Sequence, residues 1–202
     1  DAASPAGTVT INSGGTYTTT IEVTLNLSAT DDVGVTGYYL SGSTTVPTAG
    51  QAGWATVGTV TPYSANIPYI LTTENGTKTI YVWYKDGVSN VSSISSDTII
   101  LDSVNPSINI VSPSAIYTMT DGSKAFGTAA TTINITGSAT DTNGITQVVY
   151  VNTATNTTGA MTGTTDWNKL LTLVTGTINI FSITARDGAT NDGTDTITIG
   201  AL

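Results

Sequence analysis

An all-β protein built from two tandem sandwich domains is what the sequence predicts, and three observations predict it. A set of short motifs occurs twice in the same order, the apolar residues alternate with period two, and Gly, Asn, Asp and Pro break the alternation at short intervals. SATDDVGVT at Ser28–Thr36 recurs as SATDTNGIT at Ser138–Thr146, and KDGVSN at Lys85–Asn90 recurs as RDGATN at Arg186–Asn191. SDTIILD at Ser96–Asp102 recurs as TDTITIG at Thr194–Gly200, and the opening Asp1-x-x-x-Pro5 recurs as Asp102-x-x-x-Pro106. Four landmarks in one order define two homologous units, 1–102 and 103–202, with loop insertions absorbing the drift in spacing.

The elements follow in order. TVTIN (8–12) opens the first unit, and Ile21, Val23, Leu25, Leu27 and Ala29 then alternate with Glu22, Thr24, Asn26 and Ser28. Such alternation puts the first set on a buried face and the second in water. VTGYYLS (35–41), NIPYILT (66–72), KTIYVWYK (78–85) and SDTIILD (96–102) complete the unit, all rich in β-branched and aromatic residues. The second unit offers SINIV (107–111), TINITGSA (132–139), ITQVVYVN (145–152), KLLTLV (169–174), TINIFSITA (177–185) and TDTITIG (194–200). Helix signals are nearly absent. Six or seven short strands per unit, spaced by turn residues, form the pattern of an immunoglobulin-like β-sandwich.

LSATDDVGV, NGTKTIYVWYKDGVSNVSS and SDTIILDSVNP together resemble the immunoglobulin-like and fibronectin III-like repeats of large bacterial cell-surface and secreted proteins. Consecutive repeats of that class meet at an L-D-x-x-x-P join. In the second unit, DWNKLLTLVTGTINIFSITARDGATN is similar to the divergent form found in accessory domains of secreted carbohydrate-active proteins. Where many relatives have Ala-Gly before the turn Asn, this chain has Val88-Ser89 and Ala189-Thr190. The resemblance implies a fold and an extracellular setting; such folds host many functions.

Composition removes whole classes of chemistry. Charged residues are 9% of the chain against about 25% in an average soluble protein, so Ser, Thr, Asn and Gly must supply the polar surface. The net charge of −9 makes nucleic acid and anionic membrane surfaces poor partners. The absence of both His and Cys removes thiol nucleophiles, imidazole bases, thiolate and imidazole metal sites, and disulfides. No apolar run approaches the ~18 residues of a membrane span, so no membrane insertion is expected. DAASPAGTVT lacks the basic and apolar regions of a signal peptide, as in a processed or excised piece.

Strand polarity indicates which loops meet. The loop after the second sandwich strand, the loop between the last two strands and the start of the first share one pole. Asp31 and Asp32 should therefore approach Asp86 and Asn90; in the second unit Asp141 and Asn143 should approach Asp187, Asn191 and Asp192, and the linker Asp102 should enter the same pole. Carboxylate, amide and carbonyl oxygens in such number suit Ca2+. The same residues also suit Asx-turns that satisfy loop amides and need no metal. Catalysis is not expected: Glu22 falls on an outward strand position, Glu74 in a turn, and no Ser or Thr has an evident activator among Lys78, Lys85, Lys124 and Lys169.

Aromatic platforms for sugar are the other site to weigh, at Tyr38, Tyr39, Trp54, Trp83 and Trp167. Alternation puts Ile80, Val82 and Tyr84 on one face and Tyr81 and Trp83 on the other, so one set is core and a neighbouring domain or subunit is available to cover the other. Trp54 and Trp167 are expected in the core. N-glycosylation sequons stand at Asn26, Asn75, Asn90, Asn134 and Asn156, and TATNTTGAMTGTTD (153–166) reads as a long exposed loop. The sequence thus favours a non-catalytic extracellular structural or adhesive module of a surface stalk, S-layer, sheath or filament, partnered by its own copies or other surface proteins. The alternative is an accessory carbohydrate-binding or spacer module of a secreted hydrolase, with polysaccharide as partner.

Overall fold

A computed structural model describes residues 3–114, 117–118 and 124–201, which fall into two units, Asp1–Ser103 and Val104–Leu202. Each unit is a β-sandwich, and no helix occurs among the described residues. Unit 1 runs β1 (Ala6–Ile11), β2 (Tyr17–Thr18), β3 (Glu22–Thr30), β4 (Val35–Ser41), β5 (Ala55–Val60), β6 (Tyr63–Ile70), β7 (Gly76–Asp86) and β8 (Ser95–Leu101). One sheet has the order β1-β3-β6 and the other β2-β8-β7-β4-β5. Neighbours are antiparallel, except that the short β2 runs parallel to β8.

The alternation in β3 orients this sandwich. Val23, Leu25, Leu27 and Ala29 are buried and meet Val35, Ile80, Val82, Tyr84 and Ile99 from the facing sheet. Two polar ties close the sandwich. The Tyr84 hydroxyl donates to the Thr8 carbonyl at 2.6 Å, and the Ile11 N–H donates to Asp97 Oδ2 at 2.7 Å, so a β8 carboxylate holds the end of β1. Burial pushes the Tyr84 phenol far above its usual range, which keeps it a neutral donor.

Unit 2 repeats the plan with β9 (Ser107–Ser112), β10 (Tyr117–Thr118), β11 (Lys124–Thr128), β12 (Thr132–Thr140), β13 (Ile145–Asn152), β14 (Thr157–Ala160), β15 (Asp166–Thr172), β16 (Thr177–Asp187) and β17 (Asp192–Ala201). Its sheets have the orders β15-β12-β9 and β10-β11-β17-β16-β13-β14. The tie between β1 and β8 recurs, with the Ile110 N–H donating to Asp195 Oδ2 at 2.8 Å. One core position is solved differently in the two units. Leu27 pairs with Ala65 in unit 1, whereas Gly137 pairs with Trp167 at the matching register in unit 2. The large side chain has moved to the neighbouring strand, which keeps the pair able to fill its layer.

Three expectations need correction. The stretch 153–166 is not one exposed loop, because β14 pairs with β13 inside it and Met161 is buried. Trp167 lies within β15 rather than ahead of a strand, and Trp54 is half-buried on the outer face of its sheet instead of in the core. The outward Trp83 is fully buried, surrounded by Tyr39 and Tyr81. The chain's own β4–β5 connection is tied across this face: Trp54 Nε1 donates to the Thr48 carbonyl, Gln51 Nε2 to the Tyr39 hydroxyl, and Lys85 Nζ to the Ala49 carbonyl. Pro47 in that connection is buried, so no second domain is needed to account for the cover.

Candidate functional site

The β7–β8 and β16–β17 turns are one device used twice. Asp86 Oδ1 accepts the N–H groups of Val88 and Asn90 at 2.9 and 2.8 Å, while its Oδ2 accepts Asn90 Nδ2 at 2.7 Å. Asp187 Oδ1 accepts the Asn191 N–H and its Oδ2 accepts Asn191 Nδ2, both at 2.9 Å. Burial pushes the Asp86 carboxyl up, but the hydrogen bonds from Asn90 and its neighbours outweigh that and hold it below its ordinary value. Ser89 and Thr190 sit at φ of 78° and 75°, a left-handed conformation that glycine adopts without cost. These are the positions where the resembled repeats carry Gly, and the turn survives the exchange in both units.

The β3–β4 and β12–β13 turns complete the two poles. Asp31 Oδ1 accepts the Val33 N–H at 3.1 Å and Asp141 Oδ1 accepts the Asn143 N–H at 2.8 Å, each an Asx-turn. Asp31 Oδ2 is enclosed without a hydrogen-bond partner, and Asp32 is exposed. The ladder pairs Val35 with Asp86 and Ile145 with Asp187, which sets the two turns of each pole side by side. In unit 2 a carboxylate oxygen of Asp141 lies within 4.8 Å of one of Asp187. Asp192 faces away from this group chemically: Arg186 Nε and Nη2 bind its two oxygens at 2.7 Å each, and this pairing lowers the Asp192 carboxyl. Asp102 closes unit 1, its N–H donating to the Thr18 carbonyl at 2.9 Å.

A groove of about 610 Å3 opens on the outer face of the β15-β12-β9 sheet, bounded by Val111, Asn134, Thr136, Asp166 and Asn168 with Gly137 and Trp167 as its floor. Sequence reasoning missed it, because it arises from a register shift: Thr136 pairs with Ser112 and Gly137 with Ile110, leaving Val111 bulged outward. The sequons divide by environment. Asn90 is committed to Asp86 and the Ala3 carbonyl and Asn26 to Asn66, whereas Asn75, Asn134 and Asn156 are exposed.

No family model matches the chain, and no curated protein does. Solved structures do. The fibronectin(III)-like modules of Clostridium thermocellum CbhA align over 96% of this chain and 93% of theirs, at 16% identity and a TM-score of 0.46. A Ca2+-stabilized adhesin that helps an Antarctic bacterium bind ice aligns over 98% of this chain, at 18% identity and a TM-score of 0.45; the chain spans 49% of that structure. The FN1–FN3 domains of chicken CNTN1 align over 98% of this chain and 66% of theirs, at 12% identity and a TM-score of 0.43. The structural neighbours are thus fibronectin III-like modules and bacterial immunoglobulin-like adhesin domains, and the likeness concerns the fold. No helix among the described residues is long and apolar enough to cross a membrane.

Proposed function

We propose that the chain is a non-catalytic extracellular module, a building block of a surface stalk, S-layer, sheath or filament. One observation carries this reading: in both units the same acids are spent on architecture. Asp86 and Asp187 organise a turn, and Asp97 and Asp195 hold the first strand to the last. An enzyme keeps its carboxylates free to exchange protons or attack. The outermost strands β5 and β14 offer backbone groups for pairing with another copy. Panels of polysaccharide and peptide substrates test the non-catalytic part, and turnover abolished by one Asp→Asn substitution overturns it. The alternative, an accessory carbohydrate-binding or spacer module, draws on the Trp167 groove alone.

The pole of unit 2 is proposed as a Ca2+ site, formed by Asp141, Asn143, Asp187 and Asn191, with Asp192 joining only if it leaves Arg186. Two carboxylates this close repel each other, and a cation offsets that repulsion. Saturating Ca2+ at a hundredfold excess over Kd raises stability by about 2.7 kcal/mol. Asp187→Ala should erase the shift. Asp86→Ala, which breaks the same turn in unit 1, is the matched control and should leave the shift intact. Superimposable melting curves with Ca2+ and with a chelator overturn the metal reading and leave the acids as turn formers.

A further inference from the structure

We propose, resting on the assembling-module reading above, that the free edge of β15 pairs antiparallel with β15 of a second copy and joins two unit 2 sheets into one. The direction of the backbone groups identifies that edge. Asn168 exchanges both its backbone bonds with Thr162, away from β12, whereas the Leu173 N–H reaches back to the Thr131 carbonyl on the β12 side. Backbone groups alternate in direction along a strand, so the N–H and C=O of Leu170 and Thr172 also face away from β12. On that side β15 ends its sheet, and no ladder among the described residues takes up either residue there.

Unit 1 closes the same edge and unit 2 leaves it open. Thr24 of β3 pairs with Pro68, and Asn134, its counterpart in β12, pairs with Leu170. The Leu71 N–H reaches back to Ile21, so Pro68 stands at an outward position, where it has no N–H to offer. Lys78 adds a charge at the end of that edge, its Nζ donating to Thr72 Oγ1 at 2.7 Å. In unit 2 Asn179 takes the place of the lysine and is spent on the backbone of Val174, while Leu170 is 65% exposed. Proline and lysine keep edge strands from pairing; unit 1 has both at these two positions and unit 2 neither.

The edge is also complementary to itself. With Leu170 opposite Thr172 of the second copy, a two-fold axis passes between the two Leu171 residues and four backbone hydrogen bonds form. Lys169 then stands opposite Leu173 of the second copy instead of its own counterpart, so no like charges meet across the pair. A slot of about 260 Å3 opens beside the edge, with Tyr150, Leu171 and Phe181 in its lining. It is smaller than the roughly 300–1,000 Å3 of small-molecule sites and suits one apolar side chain from a docked strand, which the second Leu171 supplies.

The test uses the whole chain, 15N-labelled, at concentrations reaching millimolar. Sedimentation velocity should show a dimer, and the Leu170 and Thr172 amides should exchange with deuterium more slowly as concentration rises. Leu170→Pro copies the unit 1 solution: it removes two of the four bonds and none to β12, so the dimer should weaken about 25-fold, at about fivefold for each neutral bond, with the strand content unchanged by circular dichroism. Leu170→Lys, at an exposed position, should also disperse the dimer and serves if the proline variant fails to fold. Leu170 and Thr172 amides whose exchange ignores concentration overturn the proposal. So do oligomers that both Leu170 variants leave intact while Thr158→Lys on β14 disperses them, and that result leaves assembly itself standing. A monomer in every chain overturns both readings and leaves the edge to a strand of another protein.

Discussion

Gly137→Ala is a one-carbon test of the core of unit 2. A Cβ at that position runs into the Cζ2 and Cη2 atoms of Trp167 and the backbone carbonyl oxygen of Asn109. Neither yields easily: Trp167 is packed in the core, and the Asn109 oxygen belongs to β9. Overpacking of this kind costs about 1–3 kcal/mol, and relief of the glycine penalty within a strand returns about 0.5–1 kcal/mol. The net loss is up to about 2.5 kcal/mol, which lowers the melting temperature of a unit this size by up to about 20 °C. Differential scanning calorimetry, with near-ultraviolet circular dichroism reporting Trp167, measures it. Gly200→Ala, with nothing within 4 Å of the new carbon, serves as the control and should not destabilise. Adding Trp167→Phe to Gly137→Ala should recover part of the loss, because the collision is with the indole six-membered ring. A Gly137→Ala chain that melts at or above the parent temperature would falsify the account of the Gly137–Trp167 pair.

Asp195→Ala strands the Ile110 N–H and Asp97→Ala strands the Ile11 N–H, so each should cost about 1–3 kcal/mol in its own unit by chemical denaturation; a neutral result refutes the tie. Because the Asp86 carboxyl is held below 3.8 in the folded chain, its contribution is fully present above that value and is lost as pH falls through the lower folded pKa. Acid melts should therefore show extra loss of unit 1 stability below pH 3.8, and Asp86→Asn should remove that component. Thr190→Gly relieves a β-branched residue at positive φ and should leave unit 2 as stable or raise it by up to about 1 kcal/mol, net of the entropy glycine adds to the unfolded chain.

What was legible in the sequence was whatever one strand's own side chains record. The alternation in 21–29 gave the buried face of β3, and 35–41 and 145–152 match β4 and β13 end to end. Strands β5 and β14 left no such trace: as edge strands with mostly exposed residues they are held by backbone pairing, which Thr and Gly make as well as any residue. The Asp–Asn turns were readable because the residues that bond each other are four apart in the chain. The ties from Asp97 and Asp195, the cover over Trp83 and the groove at Trp167 join residues distant in sequence or depend on a register slip, and no local pattern announces either. Asp97 shows the consequence: by position it is a bystander at the start of a strand, yet in the fold it anchors β1.

Oligomeric state tests the central claim, an assembling and non-catalytic module, most directly. Sedimentation velocity across a concentration series reaching millimolar, with negative-stain microscopy of the same samples, measures it. The account predicts oligomers that grow with concentration and regress when a lysine is placed on an outermost strand, as in Thr59→Lys on β5 or Thr158→Lys on β14. A monodisperse monomer throughout the series, in the parent chain and both variants alike, would contradict it.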